Sequence, residues 1–186
     1  ARFDRQHCIQ LRRLLDDELL QFIQLRLEEA KFNQLVHEGI GVELATTAQI
    51  VLSLLHLLTN DPKLFQIVQE ITGCSPIGCF TGRVYRIIPG CEHYDSWHED
   101  MVQDRMLAMS INLSSGVYSG GILQIRDRNS FQIFHEIANN GLGDAIIFLL
   151  QDSLQHRISN VDGTVPKTAF AGWFCSKPSF LSLLTK

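Results

Sequence analysis

The stretch from Arg105 to Leu113 reads RMLAMSINL, and it decides the fold class. Leu107, Met109 and Ile111 alternate with small or polar side chains, and a period of two residues predicts a β-strand with one apolar face. Six further runs in this half of the chain have strand character, at residues 82–88, 120–125, 131–137, 145–150, 155–161 and 167–175. About seven short strands with turn signals between them predict an antiparallel sandwich or a jelly roll.

The first 75 residues have a helical period instead. Helices are predicted to begin near Asp16, after Thr47 and at Asp61, because each position offers a capping side chain or an acidic first turn. Residues 7–13 alternate and suit an edge strand, whereas residues 32–44 contain two glycines and are interpreted as a loop with a short extended piece. Helices followed by strands predict an α+β arrangement in which the helices support one face of a sheet.

Composition and charge are those of a globular protein in water. Of the 186 residues, 45% are hydrophobic and 19% are charged, and the formal net charge is −4. No cluster of lysine and arginine occurs, which argues against nucleic acid as a partner, because binding to phosphates needs grouped cations. No apolar stretch reaches membrane-spanning length, and the first residues do not resemble a signal peptide. The five cysteines are irregularly spaced and are interpreted as reduced thiols of a cytoplasmic protein.

A candidate metal site comes from two short segments. Residues 97–101 read WHEDM and residues 154–158 read LQHRI, so His98, Asp100 and His156 supply two imidazoles and one carboxylate. Side chains two residues apart point to the same side of a strand. This donor set holds non-haem Fe(II) and leaves coordination positions open. The same His-x-Asp spacing occurs at residues 93–95, which are the alternative pair.

Six motifs in order give the second half of the chain a family resemblance. The first is Pro-Gly at residues 89–90, followed after a short loop by His-Glu-Asp at 98–100. The others are Arg105, GGIL at 120–123, GDAIIF at 143–148, HRI at 156–158 and GWF at 172–174. Together they resemble the prolyl-hydroxylase-like branch of the Fe(II)- and 2-oxoglutarate-dependent dioxygenases, over about half of the chain. The resemblance implies a double-stranded β-helix, the jelly roll of this family, with N-terminal supporting helices. A single domain is expected over residues 1–186, with a helical support region at 1–75 and a jelly-roll catalytic core at 76–186.

The resemblance also implies which side chains bind the iron. His98, Asp100 and His156 match the family's ligand positions. The pair of His98 and Asp100 is preferred to His93 and Asp95, because the family has a longer loop between its Pro-Gly motif and the first ligand. Exchange of His98 for alanine should therefore abolish iron binding, and exchange of His93 should not.

The 2-oxoglutarate site is implied by position in the same way. Lys167 matches the cation that holds the distal carboxylate, and its neighbours on the same strand face are alanines. Thr168 would serve only if the register moved by one residue, and Arg157 would point outward. Asn112 stands where some relatives have a tyrosine, and Tyr85 on the preceding strand is the alternative source of a polar contact.

The implied reaction is hydroxylation of a protein side chain, an amino acid or a small metabolite, with conversion of 2-oxoglutarate and O2 to succinate and CO2. Fe(II) is the expected cofactor and ascorbate the expected reductant. The alternatives are a nucleic-acid repair dioxygenase, a non-catalytic binding or sensor protein that keeps the metal triad, and a cupin-type enzyme with His93 or His135 as an extra ligand. Six side chains are candidates for the rim of the site: Arg83, Tyr94, Trp97, Tyr118, Arg126 and Arg128.

Overall fold

A computed structural model describes residues 3, 6–102 and 104–178. The helices with described bounds are α1 (Asp17–Glu28), α2 (Gln49–Thr59) and α3 (Pro62–Thr72). The strands of the described chain are β1 (Cys8–Leu11), β2 (Phe32–His37), β3 (Gly41–Thr46), β4 (Cys79–Ile87), β5 (Tyr94–Asp95), β6 (Arg105–Asn112), β7 (Ser119–Gly120), β8 (Leu123–Asp127), β9 (Ile133–Ile137), β10 (Ala145–Leu149), β11 (Leu154–Ile158), β12 (Val161–Asp162) and β13 (Lys167–Cys175).

The major sheet has the strand order β1-β10-β6-β13-β4-β3-β2, and β5 pairs with β3 beside it. Its pairings are antiparallel, and β13 lies in the middle between β4 and β6. Because successive side chains of a strand point to opposite faces, β13 turns Lys167 and Trp173 to one face and Phe170 and Phe174 to the other. The first face lines a cavity, and the second meets the helices.

A minor sheet of β11, β8 and β9 lies over the first face, and β12 pairs with β7 nearby. Its inward side chains, among them Leu123, Ile125 and Leu154, pack with Ile146 and Phe148 of the major sheet. His98 joins the minor sheet through an isolated bridge to His156. The two sheets therefore enclose the site between them.

The three helices cover the other face of the major sheet. Ile23, Leu55 and Val68, one from each helix, are fully buried in one cluster with Phe170 and Phe174. Two of the three helices begin with the predicted side-chain cap. The predicted threonine cap of α2 is wrong, because its N-cap is Ala48, which makes no side-chain capping hydrogen bond. The Asp16 carboxylate accepts from the Leu19 amide, the Asp61 carboxylate accepts from the Lys63 amide, and Gly73 ends α3 with φ of 70°. The predicted α+β arrangement with supporting helices is confirmed.

The interpretation of residues 32–44 as a loop with one short extended piece is wrong, because this segment forms most of a hairpin of two six-residue strands, β2 and β3. The two strands pair from Phe32 with Thr46 to His37 with Gly41. Gly39 turns the hairpin with φ of 72°, and a side chain at residue 41 would clash with the carbonyl oxygen of Tyr94. The hairpin extends the major sheet and reaches the cavity between the sheets.

None of the helices in the described part of the chain combines the length and apolar character that crossing a bilayer requires.

Candidate metal site and ligand cavity

The structure brings together the three side chains that the metal-site hypothesis names. One ligand atom from each of His98, Asp100 and His156 lies within 4.8 Å of the others. Asp100 Oδ2 is 3.5 Å from His156 Nε2 and 3.9 Å from His98 Nε2. The backbones of the two histidines exchange hydrogen bonds of 3.0 Å in both directions. This exchange fixes the segment with His98 and Asp100 against β11, although the two segments are far apart in sequence.

Neighbouring groups orient the candidate ligands. His98 Nδ1 lies 2.7 Å from the carbonyl oxygen of Ser96. Because a carbonyl only accepts, Nδ1 is the donor in this contact, and Nε2 is the ring nitrogen that faces Asp100. Trp173 Nε1 donates to Asp100 Oδ2 at 2.8 Å. The guanidinium of Arg105 stacks 3.5 Å from the centre of the Trp173 ring and holds that indole in place.

The Asp100 carboxylate is kept ionised. Burial alone would raise the pKa of Asp100, but the hydrogen bond and charge of His156, the indole of Trp173 and the charge of His98 outweigh burial and lower this pKa below its ordinary value. An anionic carboxylate beside two imidazoles is the donor set that binds Fe(II) on one side of the ion. The residues present therefore fit that metal.

The alternative pair has other contacts. His93 Nδ1 accepts from the Ile88 amide at 3.1 Å, and His93 does not border the cavity. Asp95 does border it, but its Oδ2 accepts from the Ile158 amide at 2.6 Å and holds the end of β11. Burial raises the pKa of Asp95 against the opposing effect of His98. The structure thus places His93 outside the group of candidate ligands, and His135 also lies outside it.

The candidate ligands border a cavity of about 370 Å³ between the two sheets, and Lys167 borders the same cavity. Lys167 is 3% exposed, and its Nζ donates to the carbonyl oxygen of Gly121 at 2.7 Å. Burial lowers the pKa of Lys167 to about 8, which the charge of Asp95 partly opposes. Among the described residues, no carboxylate lies within ion-pairing distance of this ammonium group.

The other predicted 2-oxoglutarate contacts divide into two groups. Tyr85 borders the cavity, and burial, followed by the charge of Glu43, raises the pKa of its phenol, which is therefore neutral. Asn112 and Thr168 do not border it. The Asn112 amide donates to Gly141 and accepts from Ser114, and the Thr168 hydroxyl accepts from Arg86 on the helix side of the sheet.

Three solved structures are similar to this one. A prolyl-4-hydroxylase from Pseudomonas putida matches with a TM-score of 0.64 and 17% sequence identity, over 94% of this chain and 95% of that chain. An oxidoreductase of the 2OG-Fe(II) oxygenase family from Burkholderia pseudomallei matches with 0.65 and 13%, over 95% and 88%. A prolyl hydroxylase from Trichoplax adhaerens, in complex with a peptide fragment of the hypoxia inducible factor oxygen degradation domain, matches with 0.70 and 14%, over 94% and 86%.

The chain has the prolyl-hydroxylase fold. The predicted double-stranded β-helix is thereby confirmed. No family model and no curated protein matches the sequence, and at 13–17% identity the three structures establish the fold alone. The activity has to be argued from the side chains in the cavity.

Two cavity residues of this prolyl-hydroxylase fold were not predicted from sequence. Ser110 Oγ and Asn139 Oδ1 are buried and have no hydrogen-bond partner of good geometry within the described chain, and both residues border the cavity. The Ser110 hydroxyl has the phenol of Tyr85 as a neighbour. Unsatisfied polar atoms in a cavity need a ligand or water. The alternation of β6 predicts that Ser110 lies on the face opposite the apolar one, which is the cavity face. Nothing in the sequence indicates that Asn139 borders the cavity.

The rim residues are also divided. Arg83 and Tyr94 border the cavity, whereas Trp97, Tyr118, Arg126 and Arg128 do not. The unpredicted part of the rim comes from the β2–β3 hairpin. Glu43 Oε1 is 2.7 Å from Arg83 Nε and 3.2 Å from His37 Nε2, so a charged network borders the cavity on the hairpin side. Arg157 lies outside the cavity, as predicted.

Proposed function

We propose that the protein is an Fe(II)- and 2-oxoglutarate-dependent dioxygenase that hydroxylates a protein side chain, an amino acid or a small metabolite. One observation carries this proposal. The donor set of His98, Asp100 and His156 and the buried cation Lys167 border the same cavity. Lysine is almost never fully buried without a charged partner. A buried ammonium without a carboxylate partner, in the cavity of a candidate iron site, fits an anionic ligand such as 2-oxoglutarate.

Each group would have a distinct task. His98, Asp100 and His156 would hold Fe(II) on one side, with Ser96 and Trp173 fixing two of them in orientation. When bound, Fe(II) and 2-oxoglutarate supply the oxidising chemistry, in which O2 is consumed, succinate and CO2 are released, and one oxygen atom enters a C–H bond of the substrate.

The cavity wall would position the cosubstrate. Lys167 would bind its distal carboxylate through a charge-assisted hydrogen bond, which is among the strongest contacts available in a dry site. The hydroxyls of Ser110 and Tyr85 are further donors at this wall. Leu123, Ile146 and Phe148 are apolar residues of the cavity wall and would exclude water around the candidate metal site. We further propose that ascorbate keeps the iron reduced between turnovers.

The first experiment is an anaerobic titration of Fe(II) into protein with 2-oxoglutarate, followed by the visible charge-transfer absorbance of the ternary complex. The native protein should give the band. Lys167→Met keeps the side-chain length without the charge and should weaken 2-oxoglutarate binding by about 10- to 100-fold, as expected for loss of a hydrogen bond to a charged group. Lys63→Met, on the exposed surface of α3, is the matched control and should bind normally.

A second pair of variants tests the metal. His98→Ala should lose Fe(II) binding and the band, whereas His93→Ala should keep both. Absence of a band in the native protein would contradict the proposal. Binding of both ligands without any consumption of O2 or formation of succinate, with or without candidate substrates, would instead support the sensor alternative.

A further inference from the structure

The outer face of the minor sheet carries a basic surface that the proposed reaction does not use. On β8 and β11, Ile125 and His156 point inward and are buried, so their neighbours Arg126 and Arg157 point outward. Both guanidinium groups lie against the indole of Trp97, with their central carbons 4.2 and 4.6 Å from the ring centre. Trp97, Arg126, Arg157 and the nearby Phe131 are called the outer platform below.

The two arginines of the outer platform lack acidic partners. Arg126 donates from Nε and Nη2 to Gln155 Oε1 at 3.0 and 2.7 Å, and Arg157 donates from Nε to Gln124 Oε1 at 2.6 Å. Among the described residues, no carboxylate is within ion-pairing distance of either group. Arg128 close by shows the contrast, because it pairs with Glu99 at 2.9 Å.

This arrangement holds two positive charges next to each other on a chain whose net charge is −4. Amide oxygens orient the guanidinium groups. The Gln124 amide also donates to the Glu136 carboxylate, which is not within ion-pairing distance of either arginine. The hydrogen bonds just described leave Arg126 Nη1 and both terminal nitrogens of Arg157 available as donors. The two terminal nitrogens of Arg157 match the two oxygens of a carboxylate, and such bidentate contacts are both strong and directional. Arg126 Nη1 offers a single donor nitrogen beside them.

We propose that the outer platform binds an acidic segment of a partner protein, with carboxylates on Arg126 and Arg157 and an apolar side chain on Phe131. Phe131 is 63% exposed, and the Arg126 guanidinium lies 4.8 Å from the centre of its ring. An apolar contact is therefore available directly beside the two charges. This binding goes beyond the proposed reaction and does not require the metal.

The structure favours an acidic peptide over a nucleic acid for two reasons. Binding to a nucleic-acid backbone gains from many phosphate contacts, and the outer platform offers only two unpaired cations. Stacking of successive bases needs several open aromatic faces, whereas the indole of Trp97 already has two guanidinium groups against it, which leaves Phe131 as the single exposed ring of the outer platform.

The test is fluorescence anisotropy on the metal-free full chain with three labelled probes. They are an octapeptide of six glutamates and two leucines, the same peptide with glutamines for the glutamates, and an octameric oligouridylate. The native protein should bind the acidic peptide at least tenfold more tightly than the glutamine peptide, and added salt should weaken this binding. The double variant Arg126→Gln/Arg157→Gln should lose at least tenfold, and the single variant Arg157→Gln should lie between.

The matched control is Arg128→Gln, because Arg128 already pairs with Glu99. The affinity of this variant for the acidic peptide should stay within twofold of the native value. Equal binding of the two peptides, or an equal loss in the control, would overturn the proposal. Tighter binding of the oligouridylate would also overturn it and identify a nucleic-acid surface. Circular dichroism of the double variant verifies folding. Because no iron is present, this result is independent of the charge-transfer titration that tests the reaction.

Discussion

Replacing Lys167 with methionine should stabilise the ligand-free protein. Burial lowers the pKa of Lys167 from 10.5 to about 8. A lowering of about 2.5, at about 1.4 kcal/mol for each pKa unit, means that the charged form costs the folded protein about 3 kcal/mol at neutral pH. Loss of the hydrogen bond to Gly121 offsets about 1 kcal/mol of this gain. The free energy of unfolding of Lys167→Met at pH 7 should therefore exceed that of the native protein by about 2 kcal/mol.

The pH dependence gives the sharper measurement. The pKa of Lys167 is lower in the folded state than in the unfolded state, so between pH 8 and pH 10.5 the unfolded chain binds more protons. The native protein should become more stable relative to Lys167→Met as the pH rises through this window. Urea denaturation of both proteins from pH 7 to pH 10 measures the difference. A difference that stays constant with pH, as expected for the exposed control Lys63→Met, would refute the account of a buried unpaired charge.

The same charge governs ligand affinity. A bound carboxylate needs the ammonium form, so the affinity of the native protein for 2-oxoglutarate should fall above pH 8, by up to about tenfold per pH unit. Lys167→Met should bind weakly at every pH and show no such fall. Calorimetric titration with Fe(II) present under anaerobic conditions follows both proteins. An affinity of the native protein that does not change between pH 7 and pH 10 would mean that Lys167 does not hold the ligand.

Three further outcomes are expected. Ser110→Ala should weaken 2-oxoglutarate binding by about fivefold, through loss of one hydrogen bond, whereas Ser53→Ala on the surface of α2 should not; calorimetry compares them. Trp173→Phe should reduce Fe(II) affinity by about 10- to 100-fold, because it removes the donor that orients a ligand carboxylate; competition with a chelator measures this, and native affinity would contradict it. Phe170→Ala should cost about 3–5 kcal/mol, since Phe170 is fully buried, and Leu57→Ala, 72% exposed, should cost under about 1 kcal/mol; urea denaturation that shows equal losses would refute this difference.

Alternation made the central strands predictable, and capping made the starts of α1 and α3 predictable. β13 spans Lys167–Cys175 as expected from the sequence, because one of its faces meets the helices and the other meets the cavity, so a two-residue period is visible. The helix caps were predictable because Asp16 and Asp61 act through local hydrogen bonds that need no tertiary contact. The three candidate ligands come together as the hypothesis requires, although metal binding itself stays a prediction.

The β2–β3 hairpin was missed for a physical reason. Neither of its strands is strongly buried on one face, so the residues between Phe32 and Thr46 show no clear apolar alternation. The two glycines that suggest a loop have structural tasks instead. Gly39 makes the turn, and Gly41 allows the close approach of β5. Strands without a buried face have a weakly specified register in sequence, and here pairing with β4 and β5 specifies it.

The choice of Asn112 rather than Ser110 shows the limit of reasoning by strand period. Both side chains lie on the same face of β6, as the sequence predicts, and they pair with Ala169 and Ala171 of β13. The two-residue period predicts which face of β6 a side chain lies on. It does not predict how far along the strand the cavity extends. The cavity ends where the loop after β9 packs against β6, and the Gly141 carbonyl of this loop accepts from the Asn112 amide. The Asn112 side chain is thereby used in holding the loop, and Ser110, one step nearer the metal site along β6, remains as the polar group that a ligand can reach.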